Sequence, residues 1–146
     1  MRAKHLIAMV TIEIDYEGEL HCRAVHGPSG TELATDAPVD NQGRGESFSP
    51  TDLVATALGS CIMTTMGIVA ARHEVSLSGM KTQVGKEMTT EGPRKIARLT
   101  VDAVVPLAAD HPQREVLERA AATCPVHRSL SAEVEVVVNW KWVGEA

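Results

Sequence analysis

Nineteen consecutive residues, Leu53 to Ala71, carry no charge: LVATALGSCIMTTMGIVAA, bounded by Asp52 and Arg72. By length this is a transmembrane candidate, since about 20 apolar residues span a bilayer. Its content argues otherwise: Thr56, Ser60, Thr64 and Thr65 are polar, Gly59 and Gly67 are small, and no Trp or Tyr belt flanks either end. Its neighbours are strand-rich on both sides, and a span here would part them across a bilayer, each with open sheet edges. The run therefore predicts a buried helix in a protein without a membrane span. Such a helix needs cover on most sides. Two helices in so short a chain cannot supply all of it, so a second copy, a homodimer, is the expected cover.

The rest of the chain reads as strands and turns. Alternation from Ile7 to Tyr16 predicts a strand ending at the Gly18 turn, followed by a second over about Glu19–Val25 and a third over about Thr31–Asp36 beyond HGPSG. DAPVDNQGRGESFSP is an irregular loop into the helix, with Ser49 as N-cap and Pro50 at the first helical position, and the helix runs to about His73. After Gly79, MKTQVGKEMTT and IARLTVDAVV form a hairpin around EGPRK. Asp110 is placed to cap a second helix with Pro112 in its first turn, reaching Cys124, and a short helical piece extends through Leu130. AEVEVVVNWKWV closes the chain as a strand with Val134, Val136, Val138 and Trp140 on one face. The order βββ-α-ββ-α-β belongs to the α+β class, with hairpin-joined strands antiparallel and residues 1–146 forming one domain.

With 14 basic against 19 acidic residues and no Lys/Arg cluster, the chain has no electrostatic footprint for nucleic acid, and its four aromatics give no stacking platform for bases. The basic start is broken by Glu13 and Asp15 without a cleavage site, which predicts a cytoplasmic protein. Three widely spaced cysteines, Cys22, Cys61 and Cys124, fit a reducing compartment. The six histidines form no H-x-x-x-H pattern, and CPVH lacks a second Cys/His pair, so no metal site is expected.

Any chemistry is then thiol chemistry. By pattern, Cys61 lies on the apolar stripe of the long helix, where a free cysteine is ordinarily a small hydrophobe. As a nucleophile it would need a nearby cation, because it is about three turns from the helix start. Arg23, Arg44, Arg72 and Arg128 are all open on sequence alone. Cys124, in ATCPVHRSL, sits at a helix end in more polar surroundings, and Cys22 alternates within a strand as a structural residue.

FSPTDLVATALGSCIMTTMGIVAARHEVSLSGM, with the Gly-rich loop before it and CPVHRSL after it, resembles the OsmC/Ohr family of osmotically inducible and organic hydroperoxide resistance proteins. The resemblance implies an OsmC-like fold, antiparallel sheets around a long central helix in an intertwined homodimer. It implies a thiol-dependent peroxidase that reduces organic hydroperoxides, with Cys61 passing through a sulfenic acid and then a Cys61–Cys124 disulfide. Arg23 takes the place of the thiolate-stabilising arginine. No cofactor is bound; an external dithiol, in some members a dihydrolipoyl group, is the reductant. One position departs from the pattern: Thr51 stands where peroxidase members carry the glutamate that orients the arginine, leaving Asp52 or Glu46 to replace it. A non-enzymatic relative that binds an apolar ligand or senses redox state is the alternative.

Overall fold

The computed structural model describes residues 9–145, so the expected strand start at Ile7 and Ala8 lies outside the described residues. The chain divides into two compact units, residues 1–50 and 51–146.

The first unit is the antiparallel meander β1 (Ile12–Gly18), β2 (His21–His26) and β3 (Glu32–Asp36), in that spatial order. The turn between β1 and β2 uses left-handed backbone at Gly18, Glu19 and Leu20, and Leu20 N–H donates to the Tyr16 hydroxyl at 3.2 Å. Pairing places Ile14 opposite Ala24, and Ala24 opposite Leu33, so Ile12, Ile14, Tyr16 and Leu33 share one face. That face is bare: Ile14 is 65% exposed and Tyr16 66%. The other face is ionic, with Arg23 paired to Glu32 and His21 placed between Asp36 and Glu17.

The loop after β3 is tied to this polar face. The Asp36 carboxylate is buried, accepts from His21 Nδ1 at 2.6 Å and also from the Glu46 backbone N–H. Asp36 N–H donates to Phe48 O, and the Ser47 hydroxyl to Ala34 O. Gly43 must be glycine, because a Cβ there would lie 1.7 Å from the Ala37 carbonyl oxygen.

The second unit holds α1 (Pro50–Arg72), β4 (Lys81–Met88), β5 (Ile96–Ala108), α2 (Arg114–Ala121), α3 (Pro125–Ser129) and β6 (Glu135–Val143). The helix expected over the uncharged run is α1, one residue shorter than its pattern suggested. It is long and apolar enough to cross a membrane by length, and it lays Leu58, Ile62, Met66 and Ala70 into a core with Leu99, Val101, Val105, Leu117 and Trp142. Gly59 lets it approach β4: a Cβ there would lie 2.8 Å from Val84 Cγ2. Along another stripe Thr56, Ser60 and Thr64 are exposed, and each hydroxyl donates to the carbonyl four residues earlier, the usual way a helix satisfies such groups.

β4 and β5 form the expected hairpin. β6 joins β5 in parallel, a direction that alternation alone does not reveal; the crossover through α2 and α3 supplies the connection that parallel pairing demands. One expectation fails here. Asp110 does not cap α2: residues 110–113 form turns in which His111 Nδ1 accepts the Gln113 N–H, and the helix starts at Arg114. Arg114 then donates to Ala109 O, Glu118 and Glu145 and lies 5.1 Å over the Trp142 ring, which closes the C-terminal end.

Candidate thiol site

α1 and the crossover bring two cysteines together. Cys61 sits mid-helix and half-buried, while Cys124 is fully buried at the N-cap of α3, where Pro125 takes the first helical position because its missing N–H costs nothing there. The Cys124 thiol donates toward the Cys61 sulfur. The Val126 backbone N–H, unclaimed by the first turn of α3, also points at Cys61, and the Thr65 hydroxyl lies 3.9 Å from the same sulfur.

These contacts divide the labour between the thiols. Burial pushes Cys61 up, but hydrogen bonds from Cys124, Val126 and Thr65 outweigh it and leave its pKa below the ordinary thiol value. Burial and the bond given to Cys61 both push Cys124 up, and the N–H groups of His127 and Val126 only partly offset them. The pair shares one preferred deprotonation, and it falls on Cys61. The donors responsible are neutral: a thiol, a peptide N–H and a hydroxyl. An arrangement of this kind can present a thiolate with a protonated thiol beside it, the starting point for sulfenic acid formation followed by disulfide closure.

Arg23 belongs to the first unit. Its guanidinium is held by Glu32, whose hydrogen bond and charge raise the arginine above its usual value, with Glu17 and Asp15 adding to the negative field. Within the first unit the carboxylate paired with Arg23 is Glu32, which the sequence did not single out; Glu32 is close because β2 and β3 pair with Val25 opposite Glu32, on the same face as Arg23. At the departing position, Thr51 Oγ1 accepts from Lys86 Nζ at 2.7 Å, and Lys86 also pairs with Asp52 at 2.8 Å. Cys22 lies on β2 opposite Tyr16. Among the described residues no group of three or more His, Cys, Asp or Glu side chains is placed to hold a metal.

Sequence reasoning missed Thr65 and Val126. Thr65 stands four residues after Cys61, the spacing at which helical side chains meet, and its hydroxyl is the one among Thr56, Ser60, Thr64 and Thr65 with a described bond to the thiol. Val126 could have been found from Cys-Pro, since proline marks a helix start and the next N–H is free to donate.

A family model described as OsmC-like protein matches residues 43–139. A crystal structure from Psychrobacter arcticus, described with the osmotic stress induced and detoxification response, is 36% identical, with 94% of this chain and 100% of that chain covered and a TM-score of 0.86. The organic hydroperoxide resistance protein OsmC of Legionella pneumophila superposes at a TM-score of 0.72 with 18% identity, over 94% of this chain and 99% of that one. An organic hydroperoxide resistance protein of Elizabethkingia anophelis does so at 0.75 with 13% identity, over 94% and 99%. The last two likenesses are of fold. No curated protein matches the chain significantly.

Proposed function

Starting from the OsmC-like family, to which the chain belongs, we propose that it is a thiol-dependent peroxidase reducing organic hydroperoxides to alcohols. The observation that carries this reading is the Cys61–Cys124 pair, with the half-exposed thiol pushed down and the buried one pushed up. The Cys61 thiolate attacks the outer oxygen of the hydroperoxide. The O–O bond breaks, the inner oxygen leaves as an alkoxide and takes up a proton to become the alcohol, and Cys61 becomes a sulfenic acid. The Cys124 sulfur then attacks the Cys61 sulfur and water departs, leaving a disulfide. An external dithiol, such as a dihydrolipoyl group, restores both thiols by exchange through a mixed disulfide.

In this reading Arg23, oriented by Glu32, contributes positive charge to the thiolate, and the working form is a homodimer in the cytoplasm. The bare Ile12, Ile14, Tyr16 and Leu33 face of the meander supports the dimer, because a patch of large apolar side chains in one sheet face is a common interface signature.

The test is consumption of cumene hydroperoxide with dithiothreitol. Wild-type protein turns over; Cys61→Ser loses activity by about a thousandfold or more; and mass analysis after one equivalent of peroxide finds two hydrogens lost. Wild-type turnover persisting in Cys61→Ser would sink the assignment. An unchanged mass with no peroxide consumed favours the non-enzymatic alternative.

A further inference from the structure

Three hydrogen-bond donors converge on the Cys61 sulfur: the Cys124 thiol, the Val126 peptide N–H and the Thr65 hydroxyl, the last at 3.9 Å. They are alike as donors and unlike as acids. A peptide N–H and an alcohol hold their protons throughout the working range of a protein, whereas an ordinary thiol gives one up at about pH 8.5. Among the described residues no carboxyl, imidazole or ammonium group is bonded to this sulfur. Cys124 therefore brings the one transferable proton to Cys61.

The first chemical step has a use for it. When the O–O bond of an alkyl hydroperoxide breaks, the inner oxygen departs as an alkoxide, a base far stronger than a thiolate, and a proton delivered during departure speeds the break. Water reaching the half-exposed Cys61 is a much weaker acid than a thiol. What keeps Cys124 protonated beforehand is its burial, together with the bond it gives to Cys61 and the negative charge there. That charge passes to the departing oxygen in the same step, so the hold on the proton loosens as the alkoxide forms. The thiolate left behind retains the N–H donors of His127 and Val126.

We propose that Cys124 is the general acid of hydroperoxide reduction as well as the second nucleophile. Its thiol proton goes to the inner oxygen, which leaves as the alcohol. The Cys61 sulfur takes the outer oxygen with its hydrogen and becomes the sulfenic acid, and Cys124 is left as a thiolate. That thiolate then attacks the Cys61 sulfur; hydroxide departs, takes a proton from solvent to become water, and the disulfide closes. One proton transfer completes the first step and arms the second. The proposal rests on the peroxidase reading above.

The experiment isolates the first step. Reduced protein, with no dithiol added, is mixed with cumene hydroperoxide or with peracetic acid, and the loss of alkylatable Cys61 is followed by iodoacetamide quenching and peptide mass analysis. Peracetic acid expels acetate, which needs no proton to leave. The ratio of the two rate constants is taken within each variant, so changes in folding or in the thiolate fraction of Cys61 cancel. We expect Cys124→Ala to raise the peracid-to-hydroperoxide ratio about a hundredfold, the lower end of what a general acid contributes. Cys124→Ser keeps a donor that holds its proton, and should raise the ratio nearly as far. An unchanged ratio in Cys124→Ala, or the wild-type ratio in Cys124→Ser, overturns the proposal. A further measurement needs no variant: wild-type oxidation by cumene hydroperoxide should show a larger solvent deuterium isotope effect than oxidation by peracetic acid, and equal effects reject the general acid. Wild-type Cys61 left unoxidised by cumene hydroperoxide would overturn the peroxidase reading and this proposal together. Normal oxidation with an unmoved ratio overturns the general acid alone.

Discussion

The two units handle apolar side chains in opposite ways. In the second, Leu58, Ile62, Met66, Leu99 and Val101 are fully buried around α1; in the first, Ile12, Ile14, Tyr16 and Leu33 line up on one sheet face and stay about half or more exposed. One unit is organised by its own core. The other is organised by its polar face, where His21–Asp36, Arg23–Glu32 and the backbone ties of the following loop set the geometry. Apolar patterning therefore predicts cohesion within the chain in one region and assembly in the other.

The sharpest way to break this comparison is to truncate a residue on each side. Leu58→Ala should cost about 2–5 kcal/mol in urea unfolding, the range for a cavity in a close-packed core. Ile14→Ala should cost under about 1 kcal/mol in a monomeric background, because little is lost where water already reaches the side chain. Ile14→Lys should instead shift the proposed dimer toward the monomer in sedimentation; an unchanged dimer would remove the meander face from its proposed interface.

Two glycines of α1 give a smaller and signed effect. At Gly59 a new methyl meets the β-branched and stiff Val84, so Gly59→Ala should destabilise by about 1–3 kcal/mol despite better helix propensity. At Gly67 nothing lies within 4 Å, and Gly67→Ala should stabilise by roughly 0.5–1 kcal/mol. Equal shifts in thermal unfolding would contradict the close helix–strand approach.

The thiol site and the polar face yield the smallest effects, both read through pH. Thr65→Val removes a donor from Cys61, so the midpoint of Cys61 alkylation moves to higher pH and the rate at neutral pH falls, by less than about tenfold because Cys124 and Val126 still donate. Asp36 is held below its usual value by the His21 hydrogen bond, which prevails over its burial. Its contribution is therefore fully present above the ordinary carboxylate range near pH 4 and is lost as pH falls through the lower folded-state value. Asp36→Asn should lower stability at neutral pH and flatten that acid limb in urea titrations, so that variant and wild type converge as pH falls.

What the sequence disclosed depended on whether a feature is written locally. The missing charges of α1, the alternation at Val134, Val136, Val138 and Trp140, and Pro50 at the helix start are local, and each element appears where its pattern lies. The direction of β6 is not local: the same alternation serves a parallel or an antiparallel neighbour. Asp110 had the right residue type for a cap, but the turns around His111 move the helix start past it. Glu32 beside Arg23 depends on strand register, which no single segment carries. Of the candidate site, the cysteines were visible through the family motif, whereas the donors that tilt one thiol below the other come from backbone geometry at Pro125 and from helical spacing at Thr65.

The placement of Cys124 in the crossover has a mechanical side. A bond from Cys61 to Cys124 would fasten the middle of α1 to the segment that delivers β6, closing a loop of roughly 60 residues, which by chain entropy stabilises the folded state by about 4 kcal/mol. Each catalytic cycle would then alternate between a looser and a tighter molecule, and the melting temperature of a sample would serve as a gauge of how much of it has met peroxide.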